Sequence, residues 1–145
     1  MYKYPKAVLM VFCKAPIPGQ VKTRLIPALS DEEAAQLHCE LSELTIQKAT
    51  QNSLCEVQLW CTPAIDHPFF TMLAQEYAID LRLQQGADLG GRMHHAFAQT
   101  LSHKRSAIII GCDSPSLTSD DLDQALGLLK QGKQCVFAPA EDGGY

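Results

Sequence analysis

The sequence has no long hydrophobic run, no closely spaced cysteine pair and no excess of positive charge. The apolar stretch before Lys14 is too short to cross a membrane and has no cleavage site, so neither a membrane span nor a signal peptide is predicted. A net charge of -4 argues against nucleic-acid binding, because a phosphate backbone requires a basic surface. The 6 cysteines form no C-x-x-C motif, which gives no support to a zinc ribbon or a thioredoxin-like site. Free thiols without a leader predict a cytoplasmic protein.

The pattern of apolar runs predicts the fold class. A chain of 145 residues is long enough for one domain with a real core. Helical patterns alternate with the apolar runs, which predicts a single α/β domain over residues 1–145 with a doubly wound, mostly parallel sheet. The first and fourth runs are apolar at nearly every position, as in strands buried on both faces. The chain ends just after the fifth run and a turn, so we expect the natural protein to continue past Tyr145. The predicted strands are Ala7–Phe12, Glu56–Cys61, Asp80–Gln84, Ala107–Gly111 and Gln134–Ala138.

Local signals place the helices between these strands. Ser30 and Glu33 have the spacing of a capping box, in which the side chain of each residue binds the backbone N–H of the other. Further helices are predicted over about His67–Tyr77, over Gly91–Leu101, and from Thr118 to near Gly132. The apolar face of the first helix is predicted to comprise Ala34, Leu37, Leu41 and Leu44.

The loop Lys14–Arg24 directly follows the first predicted strand. Ligands of open α/β sheets bind beyond the carboxyl ends of the strands, which is where this loop lies. Gly19 allows a ligand to approach the main chain closely. The cations Lys14, Lys22 and Arg24, with the hydroxyl of Thr23, suit phosphate oxygens. The loop is neither a Walker A nor a Rossmann motif, and its composition alone fits a solvated basic loop equally well.

Two aspartates follow later strands and are candidate acidic groups of the same crevice. Asp113 comes directly after the fourth strand, where a carboxylate suits magnesium; the alternative is a cap of the turn that follows. Asp142 lies in the segment Glu141–Tyr145 after the fifth strand. It is a candidate second metal ligand or general base, and a simple turn is at least an equal alternative.

A glycine-rich loop, Gln85–Met93, follows the third strand and enters a helix. Helix amino termini bind anions through free N–H groups. Asp88 is a candidate ligand contact and also a candidate N-cap of that helix. Arg92 lies in the first turn, against the preference of the helix dipole, and a bound anion would explain that placement.

The motifs together resemble a known family. The segment Phe12–Leu25 is similar to the opening signature of bacterial GT-A-fold glycosyltransferases that are often labelled radical-SAM/selenodomain-associated transferases. A more distant similarity is to 2-phospho-L-lactate guanylyltransferase and other nucleotidyltransferases of the same superfold. The other matching segments, in order, are Gly86–Met93, Gly111–Pro115 and Ala138–Tyr145.

The resemblance implies a three-layer sandwich of the nucleotide-diphospho-sugar transferase type, whose site holds a nucleoside di- or triphosphate with magnesium or manganese. It implies that Lys14, Lys22 and Arg24 contact phosphate and that Asp113 binds the metal. The usual GT-A metal motif is D-x-D, and here Ser114 and Pro115 follow Asp113, so one of the two carboxylates is absent.

The predicted function is a magnesium-dependent transferase that moves a glycosyl group from a nucleotide sugar to an acceptor. The absent D-x-D motif and the basic loop favour an alternative, nucleotidyl transfer from a nucleoside triphosphate with release of pyrophosphate. A third possibility from another class is a module that binds a nucleotide without turning it over.

Overall fold

The computed structural model describes residues 1–21, 28–112 and 116–132. Strands and helices alternate through these ranges, as the sequence predicts, and four of the five predicted strands are confirmed. The fifth, Gln134–Ala138, lies outside the described residues. The elements are β1 (Ala7–Lys14), α1 (Asp31–Thr50), β2 (Glu56–Thr62), α2 (Pro68–Tyr77), β3 (Asp80–Leu83), α3 (Leu89–Leu101), β4 (Ser106–Ile110) and α4 (Ser119–Lys130).

The four described strands form one parallel sheet in the order β3-β2-β1-β4. The chain moves outward from β1 to β2 and β3, and then crosses back to place β4 on the other side of β1. The strand order therefore reverses between β1 and β4. Such a switch point leaves a crevice at the carboxyl ends of the two strands, because the connections leave them in opposite directions.

Helices cover both faces of the sheet and give the predicted doubly wound, three-layer architecture. On one face, the core contains Ile46 of α1, Phe70 of α2 and Leu126 of α4. On the other face, Ala96 of α3 packs with residues of β1 and β2 that include Trp60, which is 4% exposed. Helix α3 lies in the connection from β3 to β4, which runs across the sheet in the direction opposite to the earlier connections. A right-handed crossover in that direction places α3 on the opposite face of the sheet.

The two strands predicted to be buried on both faces differ in the structure. Every apolar residue of β1 is buried, as expected for a central strand with a helix layer on each side. All five residues of β4 are only half-buried. The reason is position in the sheet: β4 borders the sheet within the described part of the chain, so neighbouring strands cover only one of its edges.

The helix boundaries follow the sequence signals, and the buried face of α1 does not. The predicted capping box is confirmed, since Glu33 N donates to Ser30 Oγ at 3.1 Å and Ser30 N donates to Glu33 Oε1 at 3.0 Å. The predicted apolar face is confirmed only at Ala34, since Leu37 and Leu41 are half-buried and Leu44 is 39% exposed. Small and polar side chains face the sheet instead and make hydrogen bonds at the end of β1. The buried residues of α1 are Ala34, Ala35, His38, Ser42, Thr45, Ile46 and Ala49.

Within residues 1–21, 28–112 and 116–132, no helix combines the length and the apolar character needed to cross a bilayer.

Candidate functional site

The carboxyl ends of the described strands meet at one edge of the sheet. Lys14, the last residue of β1, is in register with Thr62 of β2. Ala15 N then donates to Thr62 O at 2.8 Å. On the other side of β1, the Cys112 thiol that follows β4 donates to the Phe12 carbonyl at 3.5 Å. The segments that leave β1 and β4 therefore start beside each other at the switch point, as predicted for Lys14.

The loop after β1 is folded through its first seven residues. Gln20 N donates to Ile17 O at 2.9 Å, which closes a four-residue turn. Pro18 and Gly19 occupy its centre, and Gly19 has φ +84, so the turn fits the type II pattern of Pro followed by a left-handed glycine. The exposed Lys14 side chain donates from Nζ to Gln20 O at 3.3 Å. The loop thus begins as a formed turn beside a lysine, while the predicted contacts Lys22, Thr23 and Arg24 lie outside the described residues.

A buried polar cluster lies beneath this loop, and sequence reasoning missed it. His38 Nε2 is 2.6 Å from the Lys14 carbonyl oxygen and 3.8 Å from Cys13 Sγ. The Cys13 thiol donates to Ser42 Oγ at 3.4 Å. The sequence signal for this cluster is the four-residue spacing of Ala34, His38 and Ser42, which places the three residues on one side of a helix. Hydrophobicity does not reveal that side as the buried one, because the neighbouring leucines form a more apolar stripe.

The thiols near the site are buried packing groups. A hydrogen bond with Cys112 and burial together hold the pKa of Cys13 well above its usual value. Burial raises the pKa of Cys61, which lies in register with Cys13 on β2, to about 12. The thiolate is the nucleophilic and metal-binding form of cysteine, so these residues remain inert thiols at neutral pH.

The glycine-rich loop after β3 folds onto the start of α3. Asp88 Oδ1 accepts a hydrogen bond from Gly91 N at 2.7 Å, so the N-cap alternative is confirmed. A ligand contact by the same carboxylate stays a prediction. Arg92 is half-buried, and its Nε donates to Gly86 O at 3.4 Å. The cation in the first turn therefore holds the loop and remains beside a helix terminus whose first turn carries no acidic residue.

Substitution of Asp88 separates the cap from other roles of this residue. We expect Asp88→Ala to lower the free energy of unfolding by about 1 kcal/mol, because Gly91 N loses its acceptor. We expect Asp88→Asn to leave stability nearly unchanged, since an amide oxygen caps as well as a carboxylate. Urea unfolding of the two variants measures the difference. Equal destabilisation by both would show that the negative charge, and not the cap, is what stabilises α3.

The predicted site residues fall into two groups along the edge. Lys14 and Gly19 lie at the switch point, next to the segment that leads into Asp113. Asp88 and Arg92 follow β3, which β2 separates from β1 in the sheet. Asp113 and Asp142 lie outside the described residues. Among the residues that the structure does describe, no group of three or more His, Cys, Asp or Glu side chains could hold a metal ion.

Two cavities of the described chain lie away from this edge. One of about 690 Å³ lies on the outer side of α2 and is lined by Asp66 and Glu76 among others. The other, of about 450 Å³, lies at the opposite edge of the sheet, where Glu56 and Asp80 begin β2 and β3. Neither includes a predicted site residue. The candidate site is therefore defined by strand topology and by the folded loop after β1.

Solved structures with this arrangement show its fold class. A putative nucleotide-diphospho-sugar transferase from Desulfovibrio desulfuricans G20 is 27% identical, with a TM-score of 0.84 over 97% of this chain and 61% of its own. CMP:2-keto-3-deoxy-manno-octonic acid synthetase complexed with CTP is 12% identical, with a TM-score of 0.55 over 88% of this chain and 48% of its own. A cytidylyltransferase from Leptospira borgpetersenii serovar Hardjo-bovis (strain JB197) is 13% identical, with a TM-score of 0.57 over 94% of this chain and 58% of its own. The fold is that of the nucleotide-diphospho-sugar transferases, as the sequence predicted.

The family assignment comes from the sequence itself. The chain belongs to the family described as "Uncharacterized protein conserved in bacteria (DUF2064)", whose model matches residues 45–145. No curated protein matches the chain. The chain spans about three fifths of the length of the Desulfovibrio protein. The narrower resemblances to radical-SAM/selenodomain-associated transferases and to 2-phospho-L-lactate guanylyltransferase stay predictions.

Proposed function

We propose that this chain forms the nucleotide-binding part of a magnesium-dependent transferase that acts on a nucleotide-activated substrate. The observation that carries the proposal is the folded loop of Lys14 and Gly19 at the β1–β4 switch point. Open α/β sheets bind their ligands at such points. The 27% identity and shared fold with a protein named as a nucleotide-diphospho-sugar transferase support the choice of ligand class.

The cations of the loop would bind the phosphates. Lys14 supplies an exposed ammonium group at the start of the loop, and Lys22 and Arg24 would add two further charges. Gly19 and Thr23 would let the main chain and a hydroxyl group approach the phosphate oxygens. Positive groups placed where charge develops on a leaving phosphate are usually the main catalytic contribution in such a site.

The amino terminus of α1 is unsuited to this task, although it follows the loop. Its capping box already occupies the N–H groups of Ser30 and Glu33. Its first turn also carries the acidic residues Asp31, Glu32 and Glu33, which would repel an anion. The loop cations, and not the dipole of α1, must therefore neutralise the phosphates in the proposed site.

Asp113 would hold the magnesium or manganese ion. The described neighbour Cys112 is bonded to β1 at Phe12, so the chain leaves β4 beside the phosphate loop, where a metal ligand is needed. A bound ion of this kind would neutralise the phosphates and polarise the reacting bond. Asp142 would act as a second ligand or as a general base.

The glycine-rich loop would contact the end of the ligand that lies farther from Lys14. Arg92 is the cation at that position, and Asp88 would present its carboxylate there while it caps α3. Because the two loops follow different strands of the sheet, they would hold different parts of one ligand.

Two reactions fit this site. Glycosyl transfer from a nucleotide sugar is the first, and the name of the Desulfovibrio protein favours it. Nucleotidyl transfer is the second, because a synthetase solved with CTP and a cytidylyltransferase share the fold and because the D-x-D motif is incomplete. The released product distinguishes them: a nucleoside diphosphate for the first and pyrophosphate for the second.

A ligand screen by thermal unfolding tests the proposal. We expect at least one nucleoside triphosphate or nucleotide sugar to stabilise the protein in a magnesium-dependent way. At a hundred times its dissociation constant, a ligand adds about 2.7 kcal/mol. Lys14→Ala should reduce the shift, and Lys6→Ala is the matched control, since it removes an exposed charge from the opposite end of β1. A well-folded protein that responds to none of these ligands, or that loses binding equally in both variants, would contradict the proposal.

A further inference from the structure

A buried histidine joins helix α1 to the first residue of the candidate phosphate loop. His38 is 6% exposed, and an unpartnered polar group at such a position would cost several kcal/mol. Its Nε2 lies 2.6 Å from the Lys14 carbonyl oxygen. A carbonyl oxygen only accepts, so Nε2 carries the proton and donates it to Lys14.

Within the described part of the chain, this bond is made beyond the paired stretch of β1 and β4. The registered pairs between β1 and β4 end at Val11 and Ile110. Beyond that point, side chains meet the carbonyl groups of β1: the Cys112 thiol donates to Phe12 and His38 donates to Lys14. In the described part of the chain, the side chains of Cys112 and His38 therefore bind the carbonyl groups of β1 that follow its paired stretch with β4.

The same bond joins the end of β1, where the loop begins, to the helix that follows the loop. The loop leaves β1 at Lys14 and returns at Ser30, the N-cap of α1, and His38 lies two turns further along that helix. The turn at Gly19 packs back toward the same helix, since a Cβ added there would lie 3.5 Å from Asp31 Oδ2. The Cys13 thiol, a weak donor, lies 3.4 Å from Ser42 Oγ and 3.5 Å from Lys14 O, so the 2.6 Å contact of His38 Nε2 is the strong bond to the Lys14 carbonyl.

We infer that His38 is a positioning residue, which sets the orientation of the Lys14 peptide and hence of the described start of the phosphate loop, residues 14–21. The inference rests on the proposed function of that loop. His38 itself touches no ligand in this arrangement. It acts through Lys14. The His38 bond holds the backbone carbonyl of that residue, and the bond to Gln20 O holds its ammonium group.

Two amides of different length test this role. Glutamine places its amide nitrogen close to the position of Nε2 and should keep the bond, whereas asparagine is one methylene shorter and cannot reach Lys14. The probe is inorganic pyrophosphate with magnesium, titrated calorimetrically against the full chain. We expect His38→Asn to weaken binding about tenfold, because a displaced phosphate contact loses its alignment. We expect His38→Gln to stay within about threefold of the wild type.

Thr45→Val is the matched control for a general loosening of α1. Thr45 is buried on the same helix, and its hydroxyl donates to Leu41 O of that helix, away from the loop. We expect it to change the unfolding temperature without changing the affinity for pyrophosphate. If His38→Asn binds as tightly as the wild type, if His38→Gln is as weak as His38→Asn, or if Thr45→Val weakens binding equally, the role of His38 is wrong. If the wild type itself does not bind pyrophosphate, the proposed phosphate loop is wrong and the role of His38 falls with it.

Discussion

Asp113→Asn is expected to remove the magnesium dependence of nucleotide binding and to lower turnover about a hundredfold or more. The amide has nearly the shape of the carboxylate and lacks its charge, so the fold should survive while the proposed metal loses its ligand. Mutation of residues that merely orient metal ligands lowers metal affinity or activity about 10- to 100-fold. Loss of a direct ligand should lower turnover by at least as much. Thermal shifts with and without magnesium, together with turnover, measure the effect.

Asp120→Asn is the matched control for this variant. Asp120 is an exposed carboxylate in the first turn of α4, close in the chain to Asp113, and the capping box of that helix uses Thr118 and Asp121 instead. We expect it to bind and turn over like the wild type. An Asp113→Asn protein that binds nucleotide with the magnesium dependence of the wild type would show that the metal is held elsewhere.

Gly86→Ala is expected to lower the free energy of unfolding by about 3 kcal/mol. Gly86 has φ +150, a conformation that side chains rarely adopt. A Cβ at this position would also lie 2.6 Å from Arg92 N and 2.7 Å from the Gly91 carbonyl carbon. Both contacts are backbone atoms of α3, which cannot rotate away, so the loop would have to separate from the helix. Urea unfolding measures the loss.

Gly90→Ala gives the contrasting case in the same loop. Its added Cβ would lie 3.7 Å from Asp88 Oδ1, an ordinary contact, and Gly90 is helical. Alanine should therefore leave stability unchanged or raise it by up to about 1 kcal/mol. If Gly86→Ala unfolds at the same urea concentration as Gly90→Ala, the close approach of the loop to α3 is not a structural requirement.

Much of the fold could be predicted because its signals are local. A capping box needs only residues three positions apart, so Ser30 and Glu33 marked the start of α1 correctly. Likewise, apolar runs fixed the described strands to within two residues, since a strand between helix layers must be apolar on both sides. The N-cap role of Asp88 was also readable from its position before a helical pattern.

The buried face of α1 could not be predicted from hydrophobicity. Leu37, Leu41 and Leu44 form the more apolar stripe, yet the side with His38 and Ser42 lies against the sheet. Which side of α1 is buried depends on how closely the helix approaches β1 and on which backbone groups of β1 need hydrogen-bond partners at the switch point. Both are properties of the packed structure, and the hydrophobic periodicity of the helix does not reveal them.

The sequence by itself determined the order of the elements, the helix caps and the loop of Lys14, because each depends on residues that are near one another in the chain. The tertiary structure decided the rest. Strand pairing placed β4 beside β1 and so created the switch point, and it put β2 between the phosphate loop and the loop of Asp88 and Arg92. It also brought His38 onto the Lys14 carbonyl, 24 positions away in the chain, because among the described residues the pairing of β1 with β4 ends before Lys14 and a partly buried carbonyl then needs another donor.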